Sequence, residues 1–441
     1  MATTYLSKNL PANQNSLHKW TYSGWVKRSE IGNTTHLFNF YDDANNRGGL
    51  RFNSDNTLMY YEHLGGSTVV NKTTNRVFRD VSAWYHVMVA VDKSVSSPDT
   101  QIYINGVEET SFSTDNDYSQ NQTTKINDTD TLYINSEDGS SNIHNQLMAH
   151  VHWVSGYKLT PATFGETDST SGIWKPKTAP SVTYGTNGFF LKFENSAAMG
   201  TDSSGNSNTF AVSGSMTQNV DTPSNNFATI NPLYYSTSQS TLSNGNLTAT
   251  SSGANWNNFH STLAPSTGKW YWEVKVVNVG SNTHPIGIVG TDDSELNKTS
   301  LSDAFDNGTT GISYVQTGDK DVAGSRTSYG NSYTTGDIIG VAMDLDNLKL
   351  YFSKNGTYQN SGVPTSGSTG TGAISIVSGH SYLASFAHYN TMVDSINFGQ
   401  GFFGTTAVAS ANADANGHGA MEYAVPSGYY TLNTKNIKEF G

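Results

Sequence analysis

The chain has 441 residues, more than one ordinary hydrophobic core accommodates, so two or three domains are expected. It sets 24 Lys and Arg against 36 Asp and Glu, a formal net charge of -12, and no basic cluster offsets that balance; neither nucleic acid nor an anionic membrane surface is an expected partner. Cysteine is absent, which removes disulfides, thiolate metal sites and a cysteine nucleophile from consideration.

No segment carries an apolar 3.6-residue stripe long enough for a substantial helix. Short alternating runs bounded by Gly, Asn, Asp and Ser recur instead, and the fold class they predict is all-β. Tyr22 to Lys27 and His36 to Phe40 read as strands. Gly49 to Phe52, a polar turn at Asn53 to Asn56, and Thr57 to Tyr61 read as a hairpin. Trp84 to Asp92 is apolar on both faces, as a central strand would be. Gln101 to Ile104 ends in Asn105-Gly106, the strongest short hairpin signal, and Leu132 to Ile134 and Ala149 to Val154 complete the early set.

Ser23-Gly24-Trp25-Val26-Lys27-Arg28, Trp84-Tyr85-His86-Val87-Met88-Val89 and Ile102-Tyr103-Ile104-Asn105-Gly106-Val107 resemble successive strands of the laminin-G-like, concanavalin-type jelly roll. The order departs from the usual one. The apolar strand and polar turn that commonly open such domains stand near residue 200, as Phe189 to Phe193 and Asp202-Ser203-Ser204-Gly205-Asn206-Ser207-Asn208. The expectation is a permuted jelly roll over residues 1–215, closed by a strand from its far end, with Gly172 to Pro180 as a crossover loop.

Residues 216–239, around Asp221-Thr222-Pro223-Ser224-Asn225-Asn226, have turn chemistry and no periodicity, and are expected to form a linker. Beyond it, Gly268 to Val276 separates cleanly into faces: Trp270, Trp272, Val274 and Val276 on one, Lys269, Tyr271, Glu273 and Lys275 on the other. Two indoles and two valines in one row require a facing sheet. Ile286 to Gly290, Gly311 to Val315, Gly336 to Asp344 and Leu348 to Phe352 supply further strands, the last again followed by Asn355-Gly356. These segments, with Ile396-Asn397-Phe398-Gly399-Gln400, resemble a SPRY domain over residues 240–404. The whole is therefore read as two concanavalin A-like antiparallel β-sandwiches in tandem, the second SPRY-like. Residues 405–441 are expected to be a C-terminal tail, whose final Tyr429 to Phe440 segment docks on a neighbour or on its own domains.

The combination of jelly roll, Asn-rich linker, SPRY domain and tail is similar to structural proteins of marine tailed phages. That resemblance implies a virion component exposed on the particle surface, as a tail fibre, a capsid decoration or a neck appendage. It would form a homo-oligomer, contact other virion proteins and take part in host attachment. Composition agrees: charged residues are only 14 % of the chain, against roughly 25 % in an average soluble domain, and Ser, Thr, Asn and Gly fill the gap as on long-lived external surfaces. The N-terminal ten residues lack an apolar core of signal-peptide length, which fits assembly in a host cytoplasm. No run reaches the length of a membrane span. The alternative is a free carbohydrate-binding module pair acting as an adhesin.

Enzymatic activity is not expected. Glucanases of the jelly-roll class place their carboxylates at Glu-x-Asp-x-x-Glu, a spacing this chain lacks, and Glu273 reads as a surface ion-pair partner. No Gly-x-Ser-x-Gly elbow is present, and the Gly367 to Gly372 loop has neither Lys nor a helix after it, so no cofactor is expected. His150 and His152 on one strand face, with His144 upstream, have spacing compatible with a transition metal, although strand histidines are more commonly solvated or hydrogen-bonded. Asp202, Asn206 and Asn208 offer oxygens around Gly205 for calcium; a tight turn capped by Asp202 is the favoured alternative. Tyr60, Tyr61, Tyr234, Tyr235 and Tyr314 are the candidates for stacking on a glycan or a neighbouring subunit.

Overall fold

Period-2 alternation forces each strand to bury one row of side chains, and the early strands meet that demand by pairing into two antiparallel sheets. The structure is a computed structural model that describes residues 4–13, 18–235, 238–294, 296, 305 and 308–441. The chain divides into two units, Met1–Gln218 and Asn219–Gly441.

In the first unit, one sheet of the described residues has eight strands. Its order is Phe112–Asn116, Ser67–Val77, Thr57–Leu64, Asn46–Phe52, Thr35–Asp43, Thr131–Ile134, Tyr5–Asn9 and Ala211–Ser213. The other has six, in the order Phe189–Leu191, Gln146–Ser155, Lys19–Arg28, Trp84–Asp92, Asp99–Ile104 and Val107–Glu109. The far end of the unit thus returns twice, Ala211–Ser213 beside Tyr5–Asn9 and Phe189–Leu191 beside Gln146–Ser155. Between the sheets Trp20 lies nearly parallel to Trp153, whose ring takes the edge of Phe38 at 5.3 Å. Trp84–Asp92 is buried on both faces. Val87, Val89 and Val91 enter the core, while Met88 and Ala90 lie under a strap in which Phe164 and Tyr184 join Phe190. The segment expected to be a mere crossover, Gly172 to Pro180, belongs to this strap: Trp174–Pro176 pairs with Gly165–Thr167 as a small hairpin. The Asn105-Gly106 turn has φ of 51° and 82°, the left-handed pair that a two-residue hairpin demands.

The second unit repeats the plan. Its larger sheet runs Ser240–Ser243, Thr248–Ser251, Val393–Asn397, Lys269–Asn278, Ile338–Asp344, Lys349–Lys354 and Thr357–Tyr358, with short side pairings by Ile374–Ser375 and Tyr430–Thr431. The facing sheet runs Trp256–His260, Tyr382–Tyr389, Pro285–Gly290, Ile312–Val315, Asp319–Val322 and Ser325–Ser328. Trp270, Trp272, Val274 and Val276 are buried in one core with Ile286, Ile288, Tyr314 and Phe386, as the row of indoles and valines requires. The expected linker, 216–239, needs correcting. Phe227, Ala228 and Ile230 are buried, Ile230 bridges to Ser261, and the Ala228 N–H donates to the Leu432 carbonyl at 2.9 Å. The apolar residues there are too few, among too many turn-formers, to register as a periodic run.

The tail covers its own unit. Tyr430–Thr431 adds in parallel to the edge of Lys269–Asn278 left free beyond Val393–Asn397. Met421 and Tyr429 pack with Tyr271, Ala342 and Tyr351 on the sheet face opposite the core. The chain closes with the helix Thr434–Phe440, capped by the Asn433 side chain accepting from the Asn436 N–H at 3.0 Å. Ring stacking of Tyr430 on Phe440 at 3.7 Å fastens it.

Glu273 is what the tail closes over. Read from the sequence as a surface ion-pair partner, it is in fact fully buried. Its carboxyl accepts the backbone N–H of Glu422 and Tyr423, each at 2.8 Å, and the Tyr271 hydroxyl at 3.1 Å. Burial pushes the carboxyl up to about 7, and the tail's N–H donors only partly counteract it. The lysines that suggested an exposed face look elsewhere: Lys269 pairs with Asp344 at 3.0 Å, and Lys275 lies over the Phe403 ring.

Two outcomes follow from this packing. Trp272→Ala lowers the unfolding free energy of the second unit by about 3–5 kcal/mol, read as a shift in the urea midpoint by tryptophan fluorescence and circular dichroism. For Glu273, the folded state holds the proton more tightly than the unfolded chain, so its contribution is complete below about pH 4.5 and declines as pH rises through about 7. Between pH 4 and 8 the wild type therefore loses on the order of 3 kcal/mol relative to Glu273→Gln, whose urea midpoint lacks this slope.

Candidate functional site

Binding without chemistry requires exposed, preorganised side chains, and most of the tyrosines singled out above do not qualify. Tyr60 and Tyr61 are both buried. Tyr60 faces the core and hydrogen-bonds the Tyr118 hydroxyl at 2.7 Å; Tyr61, on the opposite face, donates to Asn39 Oδ1 at 3.1 Å beneath the Arg51 guanidinium. Tyr314 is buried as well, with Tyr333 and Phe352 beside its ring and its hydroxyl donating to the Asn331 carbonyl. These three are corrected to packing residues. Consecutive tyrosines necessarily point to opposite faces of a strand, and here both faces are covered. Tyr235 is half-buried, packing on Phe259 at 5.5 Å, and Tyr234, with exposed Leu233 beside it, is the exposed member of the set.

The histidines are brought together without forming a ligand set. His150 and His152 both lie against the Phe190 ring, at 5.7 and 3.8 Å, and His152 Nδ1 is taken by the Tyr184 hydroxyl at 2.9 Å. Burial lowers the pKa of both, so each imidazole is a neutral packing group. A bulge between Ala149 and His152 holds His150 at a φ of 48°. His144 is occupied elsewhere, 2.9 Å from the Glu30 carboxylate.

Around Gly205, whose φ of 94° makes the turn, the Asp202 carboxylate faces N–H and O–H donors: Phe190 and Ser204 on Oδ1, the Ser204 hydroxyl and Asn208 N–H on Oδ2. Asn206 and Asn208 point their amide nitrogens at the carbonyls of Gly188 and Thr186. A calcium site needs oxygens converging on one point; this loop spends its oxygens on its own backbone, as a turn does.

An exposed apolar surface of the first unit lies at two adjoining hairpin tips. Val107, after the Asn105-Gly106 turn, is 67 % exposed, and Ile173, before the strand Trp174–Pro176, is 57 % exposed. What joins the tips is Trp174. A Cβ at Gly106 would lie 3.0 Å from its ring and one at Gly165 2.3 Å from it, so two glycines form the seat of the indole. The indole N–H donates to His86 Nδ1 at 3.1 Å, and the other ring nitrogen of His86 meets Ser23 Oγ at 2.8 Å. His86 is buried against Trp25 and held neutral, its pKa lowered to about 3 by burial. Asp168 caps the second hairpin by accepting the Thr170 and Ser171 N–H groups, and Lys175 pairs with it at 2.9 Å. The result is a rigid corner with apolar residues at its tip and charged residues beside them. The sequence carried a signal for it, an Ile-Trp pair inside a polar loop.

Residues 3–163 match the family model of the concanavalin A-like lectin/glucanases superfamily, laminin-G type, and residues 269–380 match that of the SPRY domain. No curated protein matches the chain. Among solved structures it is similar to the SPRY domain of human HERC1, at 16 % identity over 38 % of this chain and 96 % of that one, with a TM-score of 0.29. A human SPRY domain follows at 14 % identity, 36 % and 94 % coverage and a TM-score of 0.28. The PSpry domain of TRIM65 has 12 % identity, 38 % and 88 % coverage and a TM-score of 0.30. The chain is thus an all-β tandem of a laminin-G-like, concanavalin-type sandwich and a SPRY domain, classes of module that often bind carbohydrate or protein.

Proposed function

We propose that this protein is a non-enzymatic recognition component of a bacteriophage particle, which attaches to a host-surface glycan through the hairpin corner of its first sandwich. The observation that carries the attachment reading is the exposed pair Val107 and Ile173, held on a glycine-seated indole with charged groups alongside. Apolar centres ringed by polar groups are where binding energy concentrates. Support for the particle comes from the phage-like domain order and from a sparsely charged, Ser- and Asn-rich composition. In this reading the chain stands on the virion surface as a homo-oligomer bound to other virion proteins.

Two measurements test the proposal. Mass spectrometry of purified particles finds the chain as a virion component; its absence there overturns the particle assignment. On host cells or a glycan array the full chain binds and releases no sugar. Val107→Asp combined with Ile173→Asp weakens binding at least about tenfold while leaving the melting temperature unchanged, because both side chains are exposed. Binding that survives the double substitution moves the site away from this corner, and sugar release overturns the non-enzymatic reading.

A further inference from the structure

Three inward stripes of the second sandwich are broken at the same end of its core, each by a residue able to hold a metal. His284 stands immediately before the strand Pro285–Gly290, in step with buried Ile286 and Ile288. His388 completes a stripe of Tyr382, Ala384 and Phe386, and Asp394 opens one that continues with Ile396. All three are fully buried. His284 Nε2 is 2.7 Å and His388 Nε2 3.0 Å from Asp394 Oδ2, and one ligand atom from each residue lies within 4.8 Å of the others.

This arrangement is costly as an end in itself. Among the described residues, Asp394 Oδ1 and His284 Nδ1 are buried without hydrogen-bond partners. The ion-pair partners of the carboxylate among the described residues are the two imidazoles. A buried carboxylate is ordinarily paired with a cation or coordinated to a metal. The cluster sits in a largely apolar enclosure, where the Phe259 and Phe386 rings lie 4.9 and 5.1 Å from His388.

We propose that His284, His388 and Asp394 bind one divalent transition-metal ion of the zinc class, which ties the two sheets of the second sandwich together. The donor set decides the class: two imidazole nitrogens and a carboxylate suit zinc and its neighbours, whereas calcium and magnesium take mainly oxygen. Ligand atoms of a tetrahedral zinc lie about 3.3 Å apart, so the two pairs at 2.7 and 3.0 Å open slightly, and the two imidazole nitrogens, within 4.8 Å of each other, settle to the same spacing. Ser251 Oγ, 3.3 Å from His388 Nδ1 and 2.7 Å from Ser240 Oγ, is placed to take the Nδ1–H of a metal-bound imidazole. Asp394 comes from the larger sheet, and His388 from the smaller, with His284 at the head of its neighbour. The enclosed setting makes this a structural site with no reaction assigned to it.

Because the site is closed, metal is loaded during folding. The full chain is unfolded in urea with a chelator, then refolded with Zn²⁺ or Co²⁺ and freed of excess metal. The expected result is about one equivalent of zinc retained and a melting temperature raised by several degrees. The cobalt form, with a water enclosed alongside the ion as the fourth ligand, shows the intense visible absorption of a four-coordinate site. Asp394→Asn retains less than about a tenth of the wild-type zinc, whereas His150→Gln retains all of it. Should Asp394→Asn fail to fold, the wild-type cobalt spectrum decides. A refolded wild type without bound metal, a cobalt spectrum of six-coordinate ion, or equal zinc in Asp394→Asn overturns the proposal.

Discussion

Both units depend on one constraint: the central strand of each has two faces to bury, and a two-sheet sandwich covers only one. Trp84–Asp92 turns three valines into the first core and still has Met88 and Ala90 to bury. Lys269–Asn278 sends its tryptophans inward and leaves Tyr271 and Glu273 behind it. Each unit answers with added chain outside the sandwich, a strap in the first and the returning tail in the second. Apolar surface removed from water is worth roughly 25 cal/mol per Å², and an uncovered tyrosine or methionine face would forfeit it. The outer layers are therefore part of the folded unit.

The inner layer was legible in the sequence because its signal is local. Alternation gave the strands, Asn-Gly gave the two tight hairpins, and the row Trp270, Trp272, Val274, Val276 announced a facing sheet. The outer layer was not, since burial there is decided by segments far away in sequence and poor in periodicity. Tyr61 and Tyr314 look like surface residues until their partners are placed over them. Glu273 misled for the same reason: its alternation with lysines is that of an exposed face, and only the backbone of Glu422 and Tyr423, about 150 residues on, reverses the reading. His284, His388 and Asp394 stand at ordinary strand positions, and their convergence depends on a register between sheets that no spacing within one strand reports.

What remains exposed is accordingly narrow. The cores hold many of the aromatics, the two histidines whose spacing is compatible with a metal are packed against Phe190, and the Asp202 carboxylate is closed on nearby N–H and O–H groups. In the proposed function recognition falls to hairpin tips carried on the sheets, the arrangement in which a scaffold presents variable residues to a partner.

The glycine seat beneath Trp174 has a bearing on how such a surface can change. At Gly106 and Gly165 a side chain would collide with the indole, so these positions admit little variation. Val107 and Ile173 touch mostly water and are free to differ without disturbing the platform. Fixed foundation and interchangeable tips are thereby immediate neighbours along the chain, Gly106 beside Val107 and Trp174 beside Ile173, and a lineage pressed to follow a shifting target could rewrite its preference there at almost no cost in folding.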